Sequence, residues 1–153
     1  MQKLAGTSIL KVSILLTFAV LTVSSFAQTF PTVVATVKVT GQTTAIPKTV
    51  LFTPTADGMF RISAYMTTTV PKTGQAIWLA SINWTDDANN WLVSNVATVL
   101  AYSSTNSIVC CLPLNYLTFW AKAGTPISYA VHSANGDATG STYEVFMTLE
   151  QLM

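Results

Sequence analysis

The stretch 51-LFTPTADGMFRISAYM-66 sets two short hydrophobic runs on either side of Asp57-Gly58. After the glycine, every second side chain is apolar, as in a strand with one buried face. The shared face carries Phe60, Ile62, Ala64 and Met66. Pro54 ends the preceding run because proline lacks the N–H that a central strand requires. With Asp-Gly as a turn signal, the stretch predicts two strands joined as a hairpin.

The same alternation recurs along the rest of the chain, with turn signals at roughly 8–12-residue intervals. The predicted inward sets are Val33, Val37 and Val39; Trp78, Ala80, Ile82 and Trp84; Leu117, Phe119 and Ala121; Ile127, Tyr129 and Val131; and Tyr143, Val145, Met147 and Leu149. About nine strands follow from this spacing, without a helical stripe beyond the first 27 residues. The pattern predicts an all-β protein, an antiparallel β-sandwich.

Residues 1–27 have the anatomy of a secretory signal peptide. Lys3 and Lys11 precede an apolar run over residues 12–23, and Ser25-Phe26-Ala27 places small residues at the positions a signal peptidase requires. The alternative is a retained membrane anchor, but the apolar run is shorter than the ~20 residues that span a bilayer. We expect cleavage after Ala27, a single domain over residues 28–153, no membrane span after cleavage, and a secreted or periplasmic location.

Charge is sparse in the expected mature protein. Five of the seven basic residues remain beside all six acidic ones once residues 1–27 are removed. A basic surface that tracks phosphates is not expected, so nucleic acid is excluded as a partner, and no cofactor or metal motif occurs. Because few charges keep this surface soluble, we expect part of it to be covered by a partner or by copies of the same chain.

Three short segments resemble the C1q/TNF-like jelly-roll family. They are 54-PTADGMFRI-62, which matches the family's proline–glycine–aromatic step into a core strand, 123-AGTPI-127, which is similar to a late turn, and the closing alternation from Tyr143 to Leu149. The chain departs from the family at Thr125-Pro126, where an aspartate is usual, and no Gly-X-Y stalk precedes the domain. The resemblance implies a ten-strand jelly roll, a homotrimer and a binding role without catalysis.

The sequence contains few residues that could form a catalytic site. The single histidine, His132, is predicted to point outward from a strand, and a triad would need Asp137 or Asp57 to be brought to it by the fold. Glu144 and Glu150 are predicted at outward strand positions, which is a poor arrangement for paired sugar-cleaving carboxylates. We therefore expect that the protein is not an enzyme.

The densest cluster of oxygen ligands is 83-NWTDDANN-90. Asp86 and Asp87 are candidate calcium ligands, but adjacent Asp and Asn residues also form turns by bonding nearby backbone amides, and a turn is the favoured interpretation. Trp84 and Trp91 flank it and, with the two aspartates, form the candidate ligand site of an alternative function, a carbohydrate-binding module. The competing interpretation places these tryptophans in the core or at a subunit interface.

The leading hypothesis is association with copies of the same chain or with a surface assembly. Trp120 and Phe146 are predicted to point outward and are candidates for an interface. Cys110 and Cys111 are adjacent, so in a strand they point to opposite faces, and the exposed thiol is a candidate for a bond between chains. The possible partners are therefore the protein itself, a glycan or a surface protein.

Overall fold

A computed structural model describes residues 31–71, 77–100, 103–104, 107–108, 115–134 and 138–153. Strands account for most of these residues. They are β1 (Thr32–Gln42), β2 (Ile46–Phe52), β3 (Gly58–Val70), β4 (Ile77–Thr85), β5 (Trp91–Leu100), β6 (Ser103–Ser104), β7 (Ser107–Ile108), β8 (Asn115–Ala121), β9 (Ile127–Ser133) and β10 (Thr142–Gln151). The expected signal peptide, Cys110, Cys111 and Asp137 lie outside the described residues.

Two four-stranded antiparallel sheets form the sandwich. The first sheet has the order β1-β10-β3-β8 and the second has the order β2-β9-β4-β5, while β6 and β7 form a small separate ribbon. The chain alternates between the two main sheets, so most neighbours within a sheet are distant in sequence. This is a jelly-roll arrangement, and the predicted fold class is confirmed.

The expected hairpin at Asp57-Gly58 is wrong. β2 pairs with β9, whereas β3 pairs with β10 and β8, so residues 53–57 cross from the second sheet to the first. The crossing is held by the turn after β8: the Ala123 N–H donates to Asp57 Oδ1 at 2.7 Å, and the Gly124 N–H donates to the Pro54 carbonyl at 2.8 Å. Two of the segments that resemble the jelly-roll family therefore contact each other directly.

Gly58 is required by the close approach of the final residues to β3. A Cβ at this position would lie 2.6 Å from the Met153 backbone oxygen. The Met59 N–H donates to that same oxygen at 3.0 Å, and the Leu152 N–H donates to the Met59 carbonyl at 2.8 Å. The glycine thus leaves room for the end of the chain to pair with the start of β3.

The alternating apolar residues fill the space between the sheets, as predicted. The fully buried side chains include Phe60 and Ile62 of β3, Ile82 of β4 and Leu149 of β10. Val33 is the exception among the predicted inward positions. It is exposed because a bulge between Val33 and Ala35 shifts the pairing of β1 with β10, so that Val33 lies opposite the outward Glu150.

Aromatic pairs join the two sheets across the core. Trp78 of the second sheet packs on Tyr143 of the first with ring centroids 4.5 Å apart, and its indole N–H donates to Ser141 Oγ at 3.0 Å. The Tyr143 hydroxyl donates to the Thr44 carbonyl at 2.8 Å. Burial raises the pKa of Tyr143 to about 12. Each polar atom that these large side chains carry into the interior therefore has a partner.

Within the part of the chain that the structure describes, no helix is long and apolar enough to cross a membrane.

Candidate functional site

The turn between β4 and β5 places its two flanking tryptophans on opposite faces of the second sheet. Thr85 pairs with Trp91, and Trp84 pairs with Leu92, so Trp84 points inward and Trp91 outward. Trp84 is 8% exposed and packs on Phe119 at 4.7 Å between ring centroids, whereas Trp91 is 61% exposed. The expected pair of stacking tryptophans is therefore reduced to Trp91.

Asp86 is occupied by hydrogen bonds inside the turn. Its carboxylate accepts the Asn90 backbone N–H at 2.7 Å and the Asn90 side-chain amide at 3.0 Å, and these bonds lower the pKa of Asp86, with the side-chain bond contributing most. Lys122 donates to the Asn89 side-chain oxygen from the end of β8. Asp87 is exposed beside it. The geometry is that of a closed turn, and no cluster of three potential metal-ligating side chains occurs among the described residues.

The outer side of the first sheet carries an aromatic face, which we define by Tyr65, Tyr116, Trp120 and Phe146. The rings of Tyr65 and Phe146 stack at 4.9 Å with an angle of 9° between their planes. Tyr116, on the neighbouring strand β8, is 75% exposed, and Trp120, four residues further along the same strand, is partly exposed. Beside the stack is a hollow of about 150 Å³ lined in part by Ser63 and Thr148.

Charges on this aromatic face compensate one another. Arg61 Nε donates to Glu150 Oε2 at 2.7 Å, and this hydrogen bond raises the pKa of Arg61. The other charged side chains of the four strands are Lys38 on β1 and Glu144 on β10. Two positive and two negative groups leave the face without net charge, so a like surface can approach it without electrostatic repulsion.

The outer side of the second sheet carries a polar trough. One row across the sheet runs from Val50 on β2 through Ser128 on β9 and Asn83 on β4 to Val93 on β5. The two valines at the edges are exposed, whereas Ser128 is 0% exposed and Asn83 is 6% exposed. Short polar side chains therefore form the floor, and taller apolar ones form the walls.

Lys48 and Trp91 meet above this trough. The Lys48 ammonium lies 5.2 Å from the centroid of the Trp91 ring, which is within the range of a cation–π contact. Lys48 belongs to β2 and Trp91 to β5, and β9 and β4 lie between those strands. The two side chains consequently lean towards each other across the floor.

The remaining candidate residues are dispersed. His132 is exposed on the outer side of β9, opposite Leu79 of β4. Asp57 lies in the crossing between the sheets, and Glu144 and Glu150 belong to β10 of the other sheet. Phe146 and Trp120 share the aromatic face, but the structure does not bring them to Trp91.

Sequence reasoning did not single out Tyr116, Lys48 or Ser128 as candidate site residues. Tyr116 could have been found, because strand alternation already placed it outward beside Trp120. The contact between Lys48 and Trp91 could not, because it depends on which strands separate β2 from β5.

No protein-family model and no curated protein matches the chain. Solved structures that are similar to it include Eiger TNF from S. frugiperda, at 11% identity and a TM-score of 0.36, over 81% of this chain and 89% of that one. Another is a Clostridium thermocellum endo-1,4-β-D-xylanase with CBM22 and GH10 modules complexed with xylohexaose, at 12% identity and a TM-score of 0.31, over 67% of this chain and 18% of that one. Both likenesses are weak, and neither names a ligand or partner of this chain.

Proposed function

We propose that the protein is a secreted or periplasmic β-sandwich that acts by association rather than by catalysis, and that copies of the chain meet through the aromatic face. The observation that carries this proposal is Tyr116, whose ring is 75% exposed beside the stacked pair of Tyr65 and Phe146. Large aromatic side chains grouped on a surface without net charge are typical of protein interfaces.

The shape of the aromatic face favours contact between unlike parts of two copies. Tyr116 projects from β8, and the hollow lined by Ser63 and Thr148 lies on the adjoining strands. A ring from one copy that enters the hollow of another can do so reciprocally, which gives a two-fold dimer, or head-to-tail, which gives a closed ring when the rotation closes. The sequence resemblance implies an oligomer of three copies. A measurement of the solution mass determines the number of copies.

A role without catalysis is supported by where the acid and base candidates among the described residues lie. His132 is on the outer side of the second sheet, while Glu144 and Glu150 are on the first. Asp57 accepts a hydrogen bond from the Ala123 backbone and has a structural role in the crossing. General acid–base or nucleophilic chemistry requires such groups within hydrogen-bond reach of one another.

The test is the solution mass of residues 28–153, measured by light scattering over a range of concentrations. We expect the wild-type chain to form a discrete oligomer and Tyr116→Glu to weaken it at least tenfold, because the change places a charge where two apolar surfaces meet. Val93→Glu introduces the same charge at an exposed position of the second sheet and should leave the mass unchanged.

A wild-type chain that stays monomeric at high concentration would refute the proposal, as would equal effects of the two glutamate substitutions. Repeating the measurement with reductant tests the separate prediction for Cys110 and Cys111. An oligomer that dissociates only on reduction would assign the linkage to those thiols instead of the aromatic face.

A further inference from the structure

The second sheet has a charge bias that the first lacks. Its four strands contain Lys48 and His132 and no aspartate or glutamate. The nearest acidic groups in the sequence are Asp86 and Asp87, in the turn that follows β4, and the carboxylate of Asp86 is already bonded to Asn90. The four strands that form the polar trough therefore contribute no carboxylate to it, and the two aspartates of the turn lie beyond its Trp91 end.

The floor of the trough contains a hydroxyl group without a hydrogen-bond partner. Ser128 Oγ is buried and, among the described residues, no donor or acceptor is bonded to it. Buried polar atoms are nearly always paired, and an unpaired one is costly to the fold. Asn83, directly opposite on β4, adds an amide with both donor and acceptor groups.

Trp91 supplies the apolar surface that a polar floor lacks. Its exposed indole stands at the edge of the sheet, next to the row of Asn83 and Val93. The strands that carry Val50 and Val93 are three spacings of about 4.8 Å apart. Lys48 and Trp91 bridge this distance above the buried floor residues. A sugar ring that replaces the Lys48 ammonium on the indole removes this cover, so that the hydroxyls of the sugar face Asn83 and Ser128.

Lys48 decides between neutral and acidic sugars. Its ammonium already lies over the Trp91 ring, and a neutral sugar that stacks there must displace it without offering a new partner. A sugar with a carboxylate can take the ring face and pair with the displaced ammonium at once. We infer that the polar trough is a binding site for a polysaccharide of carboxylated sugars, held by Trp91, Lys48, Ser128 and Asn83.

This site differs from the earlier candidate around the turn. It keeps Trp91 but replaces the buried Trp84 and the internally bonded Asp86 with side chains of β2, β9 and β4. It is also independent of association through the aromatic face, because it occupies the other sheet.

The test is affinity electrophoresis of the purified protein in gels that contain polygalacturonate, alginate or hyaluronan. Carboxyl-reduced forms of the same polymers serve as matched ligands, since they keep the rings and lose the charge. We expect at least one acidic polymer to bind at least tenfold more tightly than its reduced form, with the difference falling as salt is added.

Variants separate the contributions of the trough. Trp91→Ala should weaken binding at least tenfold, and Lys48→Gln should abolish the preference for the acidic polymer. Ser128→Ala should weaken binding severalfold while the melting temperature stays the same or rises, since it removes an unpaired hydroxyl. Val33→Ala, at an exposed position of β1 outside both the trough and the aromatic face, is the control and should bind as the wild type does.

Three outcomes would overturn the inference: no retardation by any of the three acidic polymers, equal binding of the acidic and reduced forms, or equal losses in Trp91→Ala and Val33→Ala. Circular dichroism of each variant establishes that a loss of binding is not a loss of folding.

Discussion

Gly58→Ala tests why the segment that decides the fold contains a glycine. The added methyl group would sit 2.6 Å from the Met153 backbone oxygen, well inside van der Waals contact. Gly58 does not have a positive φ, so an alanine can adopt its backbone conformation without strain. The effect of the substitution is therefore confined to the contact with the last residues of the chain.

The size of the effect follows from the two hydrogen bonds that this contact displaces. They join Met59 N–H to the Met153 oxygen and Leu152 N–H to the Met59 carbonyl. At about 1 kcal/mol each, their loss costs about 2 kcal/mol. Replacing glycine by alanine also lowers the conformational entropy of the unfolded chain, and this stabilises the fold by about 0.4–1 kcal/mol. We expect a net loss of about 1–1.5 kcal/mol in the free energy of unfolding.

The assay is urea denaturation of four proteins: the wild type, Gly58→Ala, a truncation that lacks Leu152 and Met153, and the combination. In the truncated protein the obstructing oxygen is gone, so Gly58→Ala should be neutral or stabilise by up to about 1 kcal/mol. The coupling energy between the two changes should be about 2 kcal/mol. Equal losses from Gly58→Ala in both backgrounds would refute the assignment of the glycine to this close approach.

Two further predictions concern pH. Burial raises the pKa of Tyr143 from 10.0 to about 12. The contribution of the buried phenol to the free energy of unfolding is therefore complete below pH 10. Between pH 10 and 12 it falls by about 1.4 kcal/mol per pH unit. Tyr143→Phe should flatten that part of the urea-stability profile, and an unchanged slope would contradict the burial of a neutral phenol. The hydrogen bonds to Asn90 lower the pKa of Asp86 from its ordinary value of 3.8. The contribution of this carboxylate to the free energy of unfolding is therefore present above pH 3.8 and is lost as the pH falls through the lowered pKa. The stabilities of wild type and Asp86→Ala should converge at low pH, and a gap that persists to pH 2 would show that the carboxylate charge is not what stabilises the turn.

Local alternation was enough to predict which residues are buried. Phe60, Ile82 and Leu149 are all in the core, and His132 is outside, because side-chain direction in a strand is set by a period of two. The prediction failed at Val33, where one extra residue in the strand reversed the period. Alternation is thus a reliable guide only as far as the next bulge.

Pairing between strands could not be predicted in the same way. Asp57-Gly58 has the local chemistry of a hairpin turn, yet the strands on either side enter different sheets, since their partners β9 and β10 come from the far end of the chain. Strand register also decides which face each residue beside a turn occupies. In the register of β4 and β5, Trp84 points inward and Trp91 points outward. The polar trough, which draws on β2, β9, β4 and β5, has no local sequence signal at all.

The two outer faces of the sandwich can be tested separately because they have opposite chemistry and no residues in common. Tyr116 and Phe146 lie on a face whose charges cancel, while Lys48 and Trp91 lie on a sheet without a carboxylate. A core about 10 Å thick separates them. A substitution at Tyr116 can therefore abolish association while carbohydrate binding persists, and a substitution at Trp91 can do the reverse. If both losses followed from either substitution, the two faces would be coupled through assembly, with the trough competent only in the oligomer.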